Sequence, residues 1–267
     1  MSAKSSASKR APRSVRREEK VSGLKEKLLG SKKYRDVCPD TIERIWSECS
    51  AKYKKEKDVD KAAREALHGV TGAFMTEREY KRAMELAAAH EGEALLEMHA
   101  STRERLPIAR MNETFDRIFA ITGRPESVLD LACGLNPVYL AQRLPGAELL
   151  GVDISGQCVN VIRAFGGAQA RLGDLLCAGP EVSAQVALLF KVLPLLERQR
   201  AGAAADVLHR VQAEWIVASF PTRSLGGRNV GMEKHYSEWM EAHVPENRAI
   251  AARLTDENEL FYVLKRK

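Results

Sequence analysis

The sequence predicts an α/β fold, in which a mostly parallel sheet with a terminal antiparallel hairpin follows an all-helical N-terminal module. Apolar residues recur at helical spacing from about residue 21 to residue 99, whereas short continuous apolar runs alternate with helical stretches after Gly123. Two last apolar runs flank a turn at residues 256–258. Because continuous apolar strands that alternate with helices are typical of a parallel sheet covered on both faces, we expect helices on both sides of this sheet.

Seven strands and three connecting helices are predicted for the α/β part. The strands are expected at Ser127–Ala132, Glu148–Asp153, Ala168–Gly173, Val186–Lys191, Trp215–Phe220, Ala249–Arg253 and Glu259–Leu264. The helices between them are expected at Pro137–Arg143, Gln157–Phe165 and Glu197–Val211. In the N-terminal module, the pair Pro39-Asp40 indicates a helix start, and two glycines at residues 69 and 72 interrupt the helical pattern.

Composition excludes several classes of protein. The chain has 267 residues, and none of its apolar runs approaches the ~20 residues that a membrane span needs. The first 20 residues are charged and lack the apolar segment of a secretory signal. The five cysteines are scattered without a C-x-x-C pair, which predicts reduced thiols and neither a zinc site nor a disulfide framework. We therefore expect a cytoplasmic protein without a membrane partner or a metal.

Positive charge is concentrated at the N-terminal side. Residues 1–64 contain 19 Lys and Arg against 10 Asp and Glu, whereas the remaining residues carry a net charge of −3. A basic segment on a near-neutral body is typical of a polyanion binder, although a solvated surface with a disordered tail remains an alternative. We expect a disordered basic arm at residues 1–20, a helical module at 21–99 and an α/β domain at 100–267. The candidate polyanion contacts are Lys32, Lys33, Arg35, Lys52, Lys54, Lys55 and Arg64.

Three predicted strand ends carry residues suited to an adenosine group. Gly134 follows the first strand and lets the backbone approach a ligand closely, but the G-x-G-x-x-G pattern is missing, which argues against NAD. Asp153 ends the second strand, where its carboxylate can accept hydrogen bonds from both ribose hydroxyls. The alternative role of Asp153 is a helix N-cap, which Ser155 could supply instead. After the third strand, Asp174 and the backbone of Leu175 are candidates for the adenine edge.

A long polar loop follows the fifth strand. It contains three glycines and two arginines between residues 219 and 232, and it is predicted to lie at the active-site edge of the sheet. Such a loop can fold over a substrate and contact phosphates, although an ordinary connector remains possible. The candidate contacts to a substrate are Phe220, Arg223, Ser224, Arg228 and Met232.

Several segments together are more specific than any single motif. HASTRERLP (99–107), LDLACGLNP (129–137), LLFKVLPLLE (188–197) and SFPTRSLGGR (219–228) resemble, in this order, the aminoglycoside-resistance 16S rRNA methyltransferases of the Arm/Rmt type. SKKYRDVCPDTIERI (31–45) and LHGVTGAFMT (67–76) in the helical module are also similar to that family. The resemblance extends from about Gly30 to the C-terminus.

The resemblance implies a Rossmann-like class I methyltransferase fold and methylation of a guanine N7 in the decoding A site. It further implies that the substrate is the assembled 30S subunit and that the helical module binds rRNA. We also expect the enzyme to be a monomer. S-adenosylmethionine would bind the positions that match the family's site, with Arg105 paired to the methionine carboxylate. These positions are Phe74, His99, Ala100, Ser101, Arg105, Ala132, Gly134, Asp153, Ile154, Asp174, Leu175, Phe190 and Gln199.

The chemistry expected from this resemblance needs no catalytic side chain. Guanine N7 has a lone pair and no proton at neutral pH, so positioning and exclusion of water suffice. The fourth strand lacks the N/D/S-P-P-Y/F loop typical of enzymes that methylate exocyclic amines, and no Pro-Cys pair indicates covalent C5 chemistry. Three alternatives remain: action on another RNA site, action on a small molecule or protein, and an RNA- or ribosome-binding protein without this activity.

Overall fold

The computed structural model describes residues 23–72, 74–177, 182–222 and 231–267, so the predicted arm at residues 1–20 lies outside the described residues. The chain forms two compact units, which divide between Val70 and Thr71. The first unit is helical, with α1 over residues 23–29, α2 at Pro39–Lys52 and α3 at Glu56–Thr71, whose last residue belongs to the second unit.

Helix α2 forms where the sequence predicts it. Pro39 is at the first helical position, where its missing N–H costs no hydrogen bond, and Asp40 lies in the positively polarised first turn. Apolar residues at spacings of three and four bury one side of the helix. The core of this unit consists of Leu28, Tyr34, Val37, Cys38, Ile42, Ile45, Trp46, Cys49, Val59, Ala63 and Leu67.

A seven-stranded sheet organises the second unit. Its strands lie in the order β3-β2-β1-β4-β5-β7-β6; the first five are parallel, whereas β7 is antiparallel to both of its neighbours. The strands are β1 Ser127–Leu131, β2 Glu148–Asp153, β3 Gln169–Leu172, β4 Ala184–Phe190, β5 Ala213–Pro221, β6 Arg248–Asp256 and β7 Glu259–Arg266. The predicted fold class and all seven strands are confirmed, with strand ends shifted by at most three residues.

Helices cover both faces of the sheet. Successive residues of a strand enter different apolar clusters: Leu188 lies in one, and Leu189 lies in the other. The first cluster includes residues from α4, α5, α7, α8 and α9, and the second includes residues from α10, α11 and α12. These helices are α4 Glu77–Ala88, α5 Gly92–Leu96, α6 Ala100–Arg103, α7 Ile108–Thr122, α8 Asn136–Arg143, α9 Gly156–Phe165, α10 Leu193–Gln199, α11 Ala203–Arg210 and α12 Met232–Ala242.

The compact units divide at an earlier position than the predicted boundary at residue 99. Helix α4 packs on α9, and α5 packs on α8, so both belong to the sheet unit. The buried side chains of Leu86, Leu95 and Leu96 share the core with the sheet, which explains why these helices do not join the preceding ones. Helical periodicity identifies the apolar face of a helix but not the partner on which it packs.

One helix that was predicted to be continuous is interrupted in the structure. The segment predicted as a single helix at 197–211 forms two helices, α10 and α11, because Gly202 adopts a left-handed conformation with φ 80° between them. Within the described ranges, no helix is long and apolar enough to cross a bilayer.

We expect Leu264→Ala to lower the free energy of unfolding by about 2–5 kcal/mol, because Leu264 is fully buried in β7 between two strands. The matched control is Leu195→Ala, since Leu195 is 47% exposed. Urea denaturation followed by circular dichroism measures both changes. Equal losses in the two variants would contradict the position assigned to β7.

Candidate functional site

The carboxyl ends of β1 and β2 hold a fixed carboxylate. Asp153 Oδ2 accepts a hydrogen bond from the Gly134 backbone N–H at 2.8 Å, and Oδ1 accepts one from the Ser155 N–H at 2.8 Å. Burial raises the pKa of Asp153, and these N–H groups act against that shift. The Ser155 hydroxyl accepts from the Cys158 N–H and caps α9, so the cap is supplied by Ser155 rather than by Asp153.

Gly134 permits the close approach of the segment that contains α6. A Cβ at this position would lie 2.8 Å from the His99 ring and 3.0 Å from Ser101 Oγ, and φ is +53°. His99 Nδ1 and Ser101 Oγ are 2.8 Å apart and form a hydrogen bond. Burial lowers the pKa of His99, an effect that the Asp153 carboxylate opposes, so the neutral imidazole is favoured. His99, Ser101, Gly134 and Asp153 therefore form one contact group.

Two strand ends have unusual backbone conformations. Ala132, which follows β1, has φ +56°, and Lys191, which follows β4, has φ +54°. Non-glycine residues rarely adopt positive φ, and such strain is concentrated at functional sites. Ala132 is exposed at the sheet edge, and the Lys191 backbone N–H donates to Ser219 Oγ at 3.0 Å.

A second carboxylate lies beneath the β1 end. Asp130 Oδ2 accepts from Asn136 Nδ2 at 2.6 Å, and both side chains are buried. Burial raises the pKa of Asp130 to about 7, despite the opposing effect of the Asn136 hydrogen bond. Asn136 is the first residue of α8, so this bond ties the start of that helix to β1.

Arg105 forms a buried ion pair with Glu259. Its Nε donates to Glu259 Oε2 at 2.9 Å and its Nη2 to Oε1 at 3.0 Å, in bidentate geometry. The guanidinium carbon also lies 4.7 Å from the centre of the Phe190 ring. Burial alone would raise the pKa of Glu259, but Arg105, Lys191 and the Ser219 hydroxyl hold it below its ordinary value.

Three further residues complete this second contact group. Ser219 Oγ donates to Glu259 Oε1, and Lys191 Nζ lies 3.6 Å from Glu259 Oε2. Lys191 Nζ also donates to Glu104 Oε2 at 2.7 Å. The network joins the ends of β4 and β5 and the start of β7 to the segment after α6, and its two cations face two anions.

Sequence reasoning missed Glu259, Lys191, Glu104 and Ser219. Glu259 is separated from Arg105 by 154 residues, so no local pattern links them. A signal did exist, because the predicted hairpin is antiparallel and its turn must lie at the carboxyl edge of the parallel strands. The register pairs Glu259 with Pro221 at the end of β5, which places Glu259 at that edge.

The remaining cofactor candidates lie on several elements. Asp174 is buried and its Oδ1 accepts from the Leu176 N–H at 2.8 Å, and Leu175 is buried beside it. Ala100 begins α6, and Ile154 follows Asp153 directly. Phe74 and Gln199 are half-buried and lie outside the two contact groups; Gln199 Nε2 donates to Leu195 O within α10.

The candidates for substrate contact are only partly described. Arg223, Ser224 and Arg228 lie outside the described residues. Met232 is the half-buried first residue of α12. Phe220 is 1% exposed, because Tyr236 stacks on it at 5.0 Å and Trp239 covers its edge.

The basic candidates belong to the helical unit. All of them are exposed except Arg64, which is half-buried and whose Nε donates to Asp60 Oδ2 at 3.0 Å. Arg35 Nε lies 3.5 Å from Asp36 Oδ2. The exposed candidates are Lys32, Lys33, Arg35, Lys52, Lys54 and Lys55.

Solved structures with this architecture are similar over nearly the whole chain. The crystal structure of the 16S rRNA methyltransferase RmtF in complex with S-adenosyl-L-homocysteine has a TM-score of 0.82 and 44% identity, and it covers 93% of this chain and 99% of RmtF. The 16S rRNA methylase RmtB has a TM-score of 0.83 and 36% identity, covering 92% of this chain and 98% of RmtB.

Sequence relatives and a family model agree with these structures. A 16S rRNA (guanine(1405)-N(7))-methyltransferase of Serratia marcescens is 41% identical over 90% of this chain and 96% of its own length. A protein of the same name from Micromonospora rosea is 32% identical over 92% of this chain and 97% of its own. The model described as FmrO, ribosomal RNA methyltransferase, matches residues 30–263. The chain therefore belongs to the FmrO family of ribosomal RNA methyltransferases.

Proposed function

We propose that this protein transfers a methyl group from S-adenosylmethionine to N7 of guanine 1405 in 16S rRNA, as the names of its relatives state for them. The observation that carries the proposal is the contact group of His99, Ser101, Gly134 and Asp153 at the carboxyl edge of the sheet. This is the edge at which open α/β sheets bind ligands.

The residues at this edge fit the adenosine part of the cofactor. Each Asp153 oxygen accepts one backbone hydrogen bond, and a carboxylate offers about four acceptor sites, so both oxygens retain capacity for a ribose hydroxyl. The Gly134 backbone has no side chain between it and the cleft. Asp174 and Leu175 follow β3, the neighbour of β2 in the sheet, where an adenine edge would lie.

The methionine part of the cofactor fits the side of the cleft on which Arg105 lies. Glu259 engages Nε and Nη2 of Arg105, and within the described residues Nη1 has no hydrogen-bond partner. We propose that Nη1 binds the methionine carboxylate while Glu259 fixes the orientation of the guanidinium. The other positions proposed to line the cofactor are Phe74, His99, Ala100, Ser101, Ala132, Ile154, Phe190 and Gln199.

The mechanism requires positioning rather than proton transfer. When bound, S-adenosylmethionine supplies an activated methyl group on a sulfonium. A neutral His99 would add no positive charge to the cleft that holds this group, and Glu259 balances the charge of the Arg105 guanidinium. Because guanine N7 attacks through a lone pair and loses no proton, the protein's role is to hold the base in line and to exclude water.

We propose that the enzyme acts as a monomer in the cytoplasm and that its substrate is the assembled 30S subunit. The exposed lysines of the helical unit would bind the phosphates of the rRNA. The exposed basic candidates and the excess of positive charge in residues 1–64 support this proposal. A methyl group at the decoding site would change the surface that aminoglycosides recognise, so resistance is the expected cellular consequence.

The activity is tested by incubating purified 30S subunits with the protein and S-adenosylmethionine, then mapping N7-methylguanine by borohydride reduction and aniline scission. We expect strand cleavage at guanine 1405 and none without the cofactor. Methyl incorporation at another nucleotide would retain the methyltransferase but refute the target. No incorporation alongside an active reference enzyme would favour a ribosome-binding protein without this activity.

Gly134→Ala is expected to weaken binding of S-adenosylhomocysteine at least about tenfold, because the new Cβ would displace the His99 ring from the cleft. Isothermal titration calorimetry measures the affinity. Gly146→Ala is the matched control, since Gly146 also has positive φ but no atom lies within 4 Å of the position that a Cβ would occupy there. The role of the cleft would be refuted if both variants bound the ligand as the wild type does.

Lys54→Glu with Lys55→Glu is expected to weaken binding to 30S subunits about tenfold and to flatten its salt dependence, while the affinity for S-adenosylhomocysteine stays unchanged. Arg266→Glu with Lys267→Glu makes the same charge change in the other unit, at the C-terminal end of β7, and is the control. Filter binding at several salt concentrations and calorimetry measure the two affinities. Parallel loss of both affinities in the lysine variant would refute the division of roles between the units.

A further inference from the structure

The segment after β3, residues 173–177, forms the part of the sheet edge at which the adenine of the cofactor is proposed to bind, and we call it the adenine segment. It is tied to β2 at its start, because the Gly173 N–H donates to Asp153 O at 3.0 Å. Asp153 is the residue proposed to bind the ribose. One backbone hydrogen bond therefore sets the beginning of the adenine segment relative to the ribose site.

The first peptide unit of interest joins Asp174 to Leu175. Its carbonyl accepts from the Cys177 N–H at 3.0 Å. The C=O and N–H of a trans peptide unit point in opposite directions, so the Leu175 N–H is directed away from Cys177. Within the described residues this N–H has no hydrogen-bond partner, although Leu175 is 6% exposed. Because buried backbone donors are nearly always paired, the Leu175 N–H is suited to a ligand that brings an acceptor.

Arg210 fixes the next peptide unit of the adenine segment. Its Nη2 donates to Leu175 O at 2.6 Å, and the N–H of the same unit, that of Leu176, donates to Asp174 Oδ1 at 2.8 Å. This unit is thus held at both ends, and through it Arg210 is linked to the Asp174 carboxylate. A second cation is less closely placed, since Arg200 Nη1 lies 3.4 Å from Leu176 O.

Helix α11 places the Arg210 side chain beside the adenine segment. Arg210 is the last residue of this helix, which packs in the same apolar cluster as Leu175 and Leu176. Arg210 follows the buried Val207 by three residues, so the two are neighbours on the helix surface, and Arg210 itself is exposed. Its aliphatic stem can follow the border of the cluster while the guanidinium reaches the carbonyl. The contact joins residues 35 apart in sequence, so no local motif indicates it.

We propose that Arg210 is a positioning residue for the adenine of S-adenosylmethionine: it holds the peptide unit after Leu175 so that the Leu175 N–H and the Asp174 carboxylate face the adenine edge. The guanidinium acts without contacting the cofactor. A charged donor suits this task, because hydrogen bonds with a charged partner are stronger than those between neutral groups. This inference rests on the proposed function, and within it only on the binding of the cofactor.

The test compares two ligands that differ only at the adenine edge. S-inosylhomocysteine has a carbonyl in place of the 6-amino group of S-adenosylhomocysteine and a proton on N1. It therefore presents an acceptor to the Asp174 carboxylate and a donor to the Leu175 N–H. We expect the wild type to bind it about 100-fold more weakly than S-adenosylhomocysteine, because both protein groups are left unpaired. Isothermal titration calorimetry measures both affinities, and a merely destabilised protein would show the same ratio between them.

Arg210→Ala is expected to lower that ratio from about 100-fold to about tenfold. S-adenosylhomocysteine should bind about tenfold more weakly, whereas S-inosylhomocysteine should remain within about twofold of its wild-type affinity, because a released peptide unit no longer enforces the pairing. Arg210→Lys keeps a cationic donor at this position and should keep the ratio within about threefold of the wild-type value.

Arg163→Ala is the matched control. Arg163 is exposed like Arg210, and its Nε and Nη2 donate to Ala170 O, a carbonyl of β3 that precedes the adenine segment. The substitution removes the same kind of contact from the same strand and its continuation. The ratio of the two affinities should stay at the wild-type value.

Three outcomes would overturn the proposal: an unchanged ratio in Arg210→Ala, an equal fall in Arg163→Ala, or a fall in Arg210→Lys as large as in Arg210→Ala. Methylation of 30S subunits by the wild type would still support the proposed function in each case. If the wild type binds S-adenosylhomocysteine but methylates no RNA, the proposed target fails, and the same affinities still decide the role of Arg210. A wild type that binds neither ligand would refute the cofactor site and this role with it.

Discussion

The buried ion pair between Arg105 and Glu259 is the constraint on which the architecture of the site depends. Removing two charges from water costs several kcal/mol for each ion, so such a pair persists only where its geometry and additional hydrogen bonds offset that cost. Here the geometry is bidentate, and the Ser219 hydroxyl and Lys191 ammonium supply the additional contacts. The pair therefore fixes the position of the segment after α6 relative to the last hairpin more than it adds to overall stability.

Other features follow from that fixed position. His99 and Ser101 precede Arg105 closely, so anchoring Arg105 to β7 holds the α6 segment against Gly134. Helix α7, which comes next, is also tied to the hairpin, since Arg110 Nη1 donates to Glu257 Oε2 at 2.7 Å and Thr114 Oγ1 to Asp256 Oδ2 at 3.0 Å. The C-terminal hairpin thus braces the cofactor side of the sheet from a distance of about 150 residues in sequence.

The sequence was sufficient to predict the parts of the fold that depend on local patterns. The strand ends at which Gly134 and Asp153 lie follow from the apolar runs of the sequence. The packing of α4 and α5 on the sheet did not follow, because amphipathic helices do not specify their partners. The aromatic stack of Phe220 and Tyr236 joins β5 to α12, and because the sequence prediction did not include α12, it did not include the burial of Phe220 against that helix.

The arrangement of acidic groups explains why this site suits a nucleophile that loses no proton. A general base needs a free acceptor within hydrogen-bond reach of the substrate and a pKa near the working pH. Asp130 has such a pKa, about 7, but it is 2% exposed and its Oδ2 is bound to Asn136 beneath the loop. Glu259 is enclosed by cations, which lower its pKa and hold it ionised but out of reach. Asp153 is anchored by two backbone N–H groups, and we propose that its remaining hydrogen-bond capacity serves the ribose hydroxyls. These three carboxylates therefore hold the site together and are not available as a general base. Methylation at a lone pair such as guanine N7 needs no general base, whereas methylation of an exocyclic amine would need one to remove a proton.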